Sequence, residues 1–146
     1  MIDRKILAVK NSWSYVLIDR EETGEAFYQK LFELDPTLYP LFQGDIKLQA
    51  KKLINMITLM VARLQKLDDI RHEIGELGKR HVTYGTIPAH YQTVGKALLY
   101  TLEDKLGARW SEEMREAWTE VYLLFANAMM CSEVTGNSSI TSLHPV

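Results

Sequence analysis

Hydrophobic positions recur at steps of three and four along almost the whole chain, the spacing of residues that share one face of an α-helix. A first helix is predicted over about 3–18, with Asp3 as N-cap and Ile6, Leu7, Val9, Trp13 and Val16 as its apolar positions. A second, over about 22–34, carries Phe27, Tyr28, Leu31 and Phe32. Asp35-Pro36 then stops one helix and opens a short one that ends near Phe42, because proline lacks an N–H that a first turn does not use. After the four residues 43–46 a long helix runs to about Lys66, its inner face marked by Gln49, Leu53, Met56, Ile57, Met60 and Leu64.

Three more helices complete the pattern. One starts near Asp69 and ends at Gly85, a residue suited to a left-handed C-terminal cap. Pro88 opens the next, with Tyr91, Val94, Gly95, Leu98 and Leu102 inward and Gly107 closing it. Ser111 caps the last, backed by Glu112 and Glu113 near its positive end; its stripe is Met114, Ala117, Trp118, Val121, Tyr122, Phe125 and Met129. No period-two run and no hairpin signal interrupts the series, so the fold class is all-α, with about seven helices. Unequal helix lengths disfavour a symmetric four-helix bundle. From about Thr135 the sequence turns to Gly, Asn, Ser and Thr, which predicts one domain over 1–134 and a disordered tail over 135–146.

Composition narrows the function. At 146 residues the chain can bury one sizeable core without staples. A net charge of −2, with no basic run longer than a pair, argues against nucleic acid and acidic membranes as partners. The apolar runs are far shorter than the roughly 20 residues a bilayer demands. Cys131 is the only cysteine, so neither an internal disulfide nor a thiolate metal site can form. The start of the chain does not read as a signal peptide, and the expected location is the cytoplasm.

Candidate chemistry lies in a few polar residues on apolar faces. His81 shares a face with Leu77 and Ile74, one and two turns back, and is either a metal ligand or a hydrogen-bonded core histidine. His72 lies between Arg71 and Glu73 and reads as solvated; His90 reads as a surface or capping residue, and His144 sits in the tail. Residues 72–76 begin like a zincin motif but end in Glu76, so the second histidine is absent. Paired Glu-x-x-His motifs, a Gly-rich phosphate loop and a histidine near Cys131 in sequence are also missing. Tyr28 and Gln49 remain open between ordinary packing and a pocket role, while Trp13 and Trp118 read as packing between the first and last helices.

Taken jointly, six motifs resemble the globins, from about residue 4 to 134. They are Phe27-Tyr28-x-x-Leu31-Phe32-x-x-x-Pro36, Leu41-Phe42, Gln49-x-x-x-Leu53, Leu77-Gly78-x-Arg80-His81-x-x-Tyr84-Gly85, His90-Tyr91-x-x-Val94-Gly95 and Ala117-Trp118-x-x-x-Tyr122. Their order and spacing are similar to those of bacterial single-domain globins related to flavohaemoglobin. The resemblance implies a globin fold around a haem pocket, without a D helix between Phe42 and Ile46, and haem b (iron protoporphyrin IX) as cofactor.

By resemblance, His81 is the proximal iron ligand, with the Leu77 carbonyl accepting from its other ring nitrogen, and Phe42 wedges the porphyrin. Tyr28, Gln49 and Leu53 form the distal wall, and Phe32 and Val94 help to keep it dry. Lys52, Arg80, Tyr84, Ile87 and Tyr91 join Phe42, Gln49, Leu53, Leu77, His81 and Val94 as haem-contacting positions. Tyr91 and Glu133 match a tyrosine and a glutamate that hydrogen-bond the proximal histidine in flavohaemoglobins. The implied function is reversible, high-affinity binding of O2, with CO and NO as further ligands. The alternative is an NO dioxygenase or peroxidase that depends on a separate reductase, since the flavin and nicotinamide domains are not in this sequence. A haem sensor and a haem-free interaction domain are less well matched.

Overall fold

The structure, a computed structural model, describes residues 3–42, 44–66, 71–83 and 87–135. Six α-helices occupy them: α1 (Asp3–Val16), α2 (Arg20–Leu34), α3 (Ile46–Ala62), α4 (Arg71–Thr83), α5 (Pro88–Leu106) and α6 (Glu112–Thr135). Among the described residues there is no strand, so the all-α expectation holds. Residues 136–146 and Tyr84 to Thr86 lie outside the described residues, and with them the expected tail and the Gly85 cap.

The expected short helix after Asp35 is a 3-10 segment, Pro36–Leu41, rather than a seventh α-helix. Pro40 explains part of the difference: without an N–H it cannot bond back to the Pro36 carbonyl, and six residues are too few to recover that loss. Asp35 caps the segment by accepting from the Thr37 N–H at 3.0 Å. The long third helix ends at Ala62, not Lys66. Arg63 N–H is shared between the Leu59 and Met60 carbonyls, both at 3.2 Å, and the chain tightens into a 3-10 turn over 64–66.

Other ends follow the residue chemistry. Asp45 accepts from Lys47 N–H at 2.9 Å to start α3, and Ser111 Oγ accepts from Met114 N–H at 3.2 Å to start α6. Gly107 closes α5 with φ of +53°, a conformation glycine adopts without Cβ strain.

The core draws on all six helices, and two indole N–H groups pin α1 within it. Trp13 and Trp118 meet at 5.7 Å between ring centroids. Trp118 Nε1–H donates to Ser12 Oγ at 2.8 Å, and Trp13 Nε1–H donates to Thr58 Oγ1 at 3.0 Å. A buried donor left unpaired would cost about 1–3 kcal/mol, so each hydroxyl fixes a helix pairing, α1 on α6 and α1 on α3. The α1–α6 contact is the one expected from the sequence; the link to α3 was not.

α3 has two apolar faces. Ala50, Ile54 and Val61 are buried against other helices, and the α2–α3 crossing is tight enough that a Cβ on Gly24 would lie 2.9 Å from Ala50 Cβ. Leu53, Met56 and Ile57 are only half-buried. Their stripe faces a cleft.

Candidate functional site

That cleft, about 170 Å³, opens between α3 on one side and α4 and α5 on the other, and its floor reaches the core residues of α2 and α6. Gln49, Leu53, Met56, Ile57 and Met60 line it from α3, so the inner face read from the sequence is the wall of a cavity. Tyr28, Phe27 and Leu31 enter from α2, and Trp118, Val121 and Phe125 close the deep end from α6. A larger surface groove of about 310 Å³ lies beside Arg20, Asp45 and Lys47. Its charged lining brings together no metal-binding cluster among the described residues.

His81 reaches the cleft from the last turns of α4. Its Nδ1 lies 2.8 Å from the Leu77 carbonyl oxygen. A carbonyl can only accept, so Nδ1 carries the hydrogen and Nε2 keeps a lone pair. Burial pushes the His81 pKa below its ordinary value, against the raising effect of the Leu77 bond, and the Arg80 charge lowers it further. The ring is therefore neutral near pH 7 and able to donate to a metal.

Phe42 and Tyr28 are held as a pair in the cleft wall, edge to face at 5.2 Å, with Phe32 packed on both. Burial pushes the Tyr28 hydroxyl well above the ordinary phenol range, so it stays protonated and can donate. Gln49 is only 8% exposed, and neither its amide nor the Tyr28 hydroxyl has a hydrogen-bond partner among the described residues. Both residues line the apolar cleft with these donors uncommitted, so a polar ligand inside it could accept from them.

Of the residues singled out in the sequence, the cleft brings together Tyr28, Phe42, Gln49, Leu53, Leu77, His81, Tyr91 and Val94. Lys52, Arg80 and Ile87 are not in its wall. Lys52 and Arg80 each sit one residue from a lining side chain, which on a helix turns them about 100° away. Ile87, the extended N-cap of α5, is 51% exposed. Tyr84 lies outside the described residues, as does the side chain of Glu133, although α6 extends past Glu133 to Thr135.

His90 is the residue the sequence reading missed. It does cap α5, its Nδ1 accepting from Ile87 N–H at 3.2 Å, but it also lines the cleft. The signal was its spacing, four residues before Val94 and eight before Leu98 on the same face.

Whether the cleft suits a metal can be decided from its donors. No group of three or more His, Cys, Asp or Glu side chains is placed to hold an ion among the described residues. The neutral His81 imidazole in an oily cleft, with no such group around it, suits a metal that arrives already chelated, as iron does in a porphyrin. The globin family profile matches residues 25–129. The chain belongs to the globin family.

This globin is 30% identical over 134 residues to a flavohemoprotein of Bacillus subtilis (strain 168), covering 89% of the chain and 34% of the relative. It therefore spans about a third of the length of such relatives. A neuroglobin of Danio rerio is 29% identical over 136 residues, 83% of the chain and 85% of the relative. Among solved structures, a hexacoordinated haem protein from an anhydrobiotic tardigrade superposes with a TM-score of 0.82 at 17% identity, covering 90% of this chain and 94% of that one. Ferric Aplysia limacina myoglobin gives 0.80 at 16% identity, covering 90% and 98%. At these identities the two structures speak for the fold. Globins pack their helices around haem, so family and cleft agree on a haem-binding globin. No described helix is long and apolar enough to cross a membrane.

The lowered His81 pKa has a measurable consequence in the haem-free protein. The unfolded chain takes up this proton near pH 6.5, the folded chain only at lower pH. Unfolded protein thus binds more protons in that window, and stability falls as pH drops from about 7 through the folded-state pKa. Urea titrations of the apo form between pH 7.5 and 5 are expected to show this loss, reduced in His81→Gln. Equal slopes in both proteins would remove His81 as its source.

Proposed function

We propose that this globin binds haem b in the cleft through His81 Nε2 and binds O2 reversibly, with CO and NO as competing ligands. The observation that carries the reading is His81: a neutral ring, its tautomer set by the Leu77 carbonyl, in an apolar cleft that two unpaired donors also line. Haem, when bound, would supply a ferrous iron able to take up a diatomic gas. Leu77 holds the His81 ring in orientation and raises its basicity. Phe42 gives the cofactor an aromatic wedge held in place by Tyr28. Leu53, Val94 and their apolar neighbours exclude water.

Tyr28 and Gln49 act on the ligand. Both can donate a hydrogen bond toward a polarised O2, and Gln49 cannot be lost to protonation as a distal histidine could. A bond to a charged acceptor contributes about 1.5–3 kcal/mol, roughly tenfold to a hundredfold in off-rate. Tyr28→Phe keeps the ring cluster and removes one donor, and is expected to speed O2 dissociation at least about tenfold by stopped-flow. An unchanged rate would take Tyr28 out of this role. Absorption spectra of the purified protein in ferric, ferrous, oxy and carbonyl forms test the function as a whole. Absence of a Soret band after haem supplementation would refute it.

Tyr91 favours a second reading, an NO dioxygenase or peroxidase. It is buried in the cleft wall on the helix that follows His81, and its carbonyl accepts from Tyr122 O–H at 2.5 Å, which braces α5 on α6. With Glu133 on α6 it would increase the electron donation of His81. Conversion of NO and O2 to nitrate consumes one electron per turnover, supplied by a reductase outside these residues. Catalytic NO consumption with an added reductase, slowed in Tyr91→Phe, would favour this reading; a single stoichiometric turnover would leave the first.

A further inference from the structure

We propose that the surface groove between α2 and α3 docks a second copy of this chain, through a twofold contact of oppositely charged walls. The groove, about 310 Å³, shares no lining residue with the cleft. Ala50 and Ile54, both buried, give it an apolar lining on α3, with Leu48 beside them. One wall comes from the start of α2, where Glu21 and Glu25 stand about one helical turn apart. The other comes from α3, where Lys47 and Lys51 repeat that spacing. All four residues are exposed, and none of their side chains has an ion-pair or hydrogen-bond partner among the described residues. Opposite charges thus line one groove without meeting across it.

Within each wall, like charges four residues apart repel, so each row gains from an opposite row laid against it. The remaining charges follow the same rule. Arg20 stands on the acidic wall, and Asp45, the cap of α3, on the basic one. A partner of one charge sign, such as a nucleic acid or an acidic peptide, would meet one wall of its own sign. The occupant has to carry both rows. A twofold axis supplies them from the same surface: the acidic wall of each copy faces the basic wall of the other, and every pair is made twice. Exposed ion pairs are individually weak and screened by salt, so apolar surface has to add to them. Leu48 is 50% exposed on the basic wall, and Ile18, two residues before Arg20, is 81% exposed.

Sedimentation velocity of the full chain, with charge reversal, tests the contact. The unmodified protein is expected to dimerise reversibly at about 0.01 M salt, where charges act over about 30 Å. At about 1 M salt, where that range is about 3 Å, association is expected to be at least tenfold weaker. Glu21→Lys with Glu25→Lys makes both walls basic; Lys47→Glu with Lys51→Glu makes both acidic. Each double variant alone is expected to associate at least about tenfold more weakly than the parent. Mixed in equal amounts, the two are expected to pair within about threefold of the parent affinity, because every facing row is again opposite. A parent that stays monomeric at about 1 mM protein and low salt would overturn the proposal. So would a dimer that persists in either variant alone, or a mixture that fails to associate. Far-ultraviolet circular dichroism checks each fold. If a double variant does not fold, Glu25→Lys and Lys51→Glu repeat the comparison with one reversal each.

Discussion

Replacing His81 by alanine is expected to leave a folded helical protein that no longer retains haem. The imidazole is half-buried and faces a cleft, so its removal deletes few core contacts. Leu77 O loses only the side-chain partner at 2.8 Å. The iron, by contrast, would lose the ligand proposed for it. Groups that merely orient such a ligand are worth about 10–100-fold in metal affinity, so deletion of the ligand is expected to exceed 100-fold. His90 also lines the cleft, but its Nδ1 is occupied by Ile87 N–H and its Nε2 carries hydrogen. Haem titration followed at the Soret band gives the affinity, and far-ultraviolet circular dichroism checks the fold. The variant is also expected to lose the added thermal stability that bound haem gives the native state by mass action. Undiminished pigment uptake and gas binding would end the haem-ligand assignment.

Gly78→Ala is expected to have the second largest effect, although no side chain of the cleft is touched. A Cβ on Gly78 would lie 2.4 Å from the Met129 carbonyl oxygen and 2.9 Å from Met129 Cα. Those are backbone atoms, so no rotamer change relieves the clash. α4 must move off α6, its principal packing partner. Overpacking of this kind costs about 1–3 kcal/mol, and about 2–4 °C of melting temperature follows per kcal/mol in a domain near this size. A fall of roughly 5–10 °C is expected in the haem-free protein. The displaced helix also carries His81, so haem loss should accelerate in the same variant. A melting temperature within about 1 °C of the parent would show that the α4–α6 contact tolerates a methyl group.

Much of the fold is legible in the chain because helix formation leaves a local record. Asp45 and Ser111 cap where short polar side chains precede apolar periodicity, Pro88 opens α5, and Gly107 closes it. The 3-10 segment after Asp35 was harder to read, because Pro36 and Pro40 each suit a helix start but together remove the bonds an α-helix would need. His81, Tyr28 and Gln49 stood out for a related reason: a polar group on an apolar face must find a partner, and none is evident nearby in sequence.

By itself, then, the order of residues determined where helices begin, which stripe of each avoids water, and which polar side chains lie within those stripes. Tertiary structure alone decided which stripe faces a neighbour and which faces a void. On α3, Ala50 and Ile54 pack against protein while Leu53 and Ile57 look into the cleft, although all four are apolar and adjacent. It likewise set His90 in the cleft wall and left Lys52 and Arg80 outside it. The reason is range: periodicity reports how one helix meets water, whereas a cavity exists only where several helices from distant parts of the chain fail to meet.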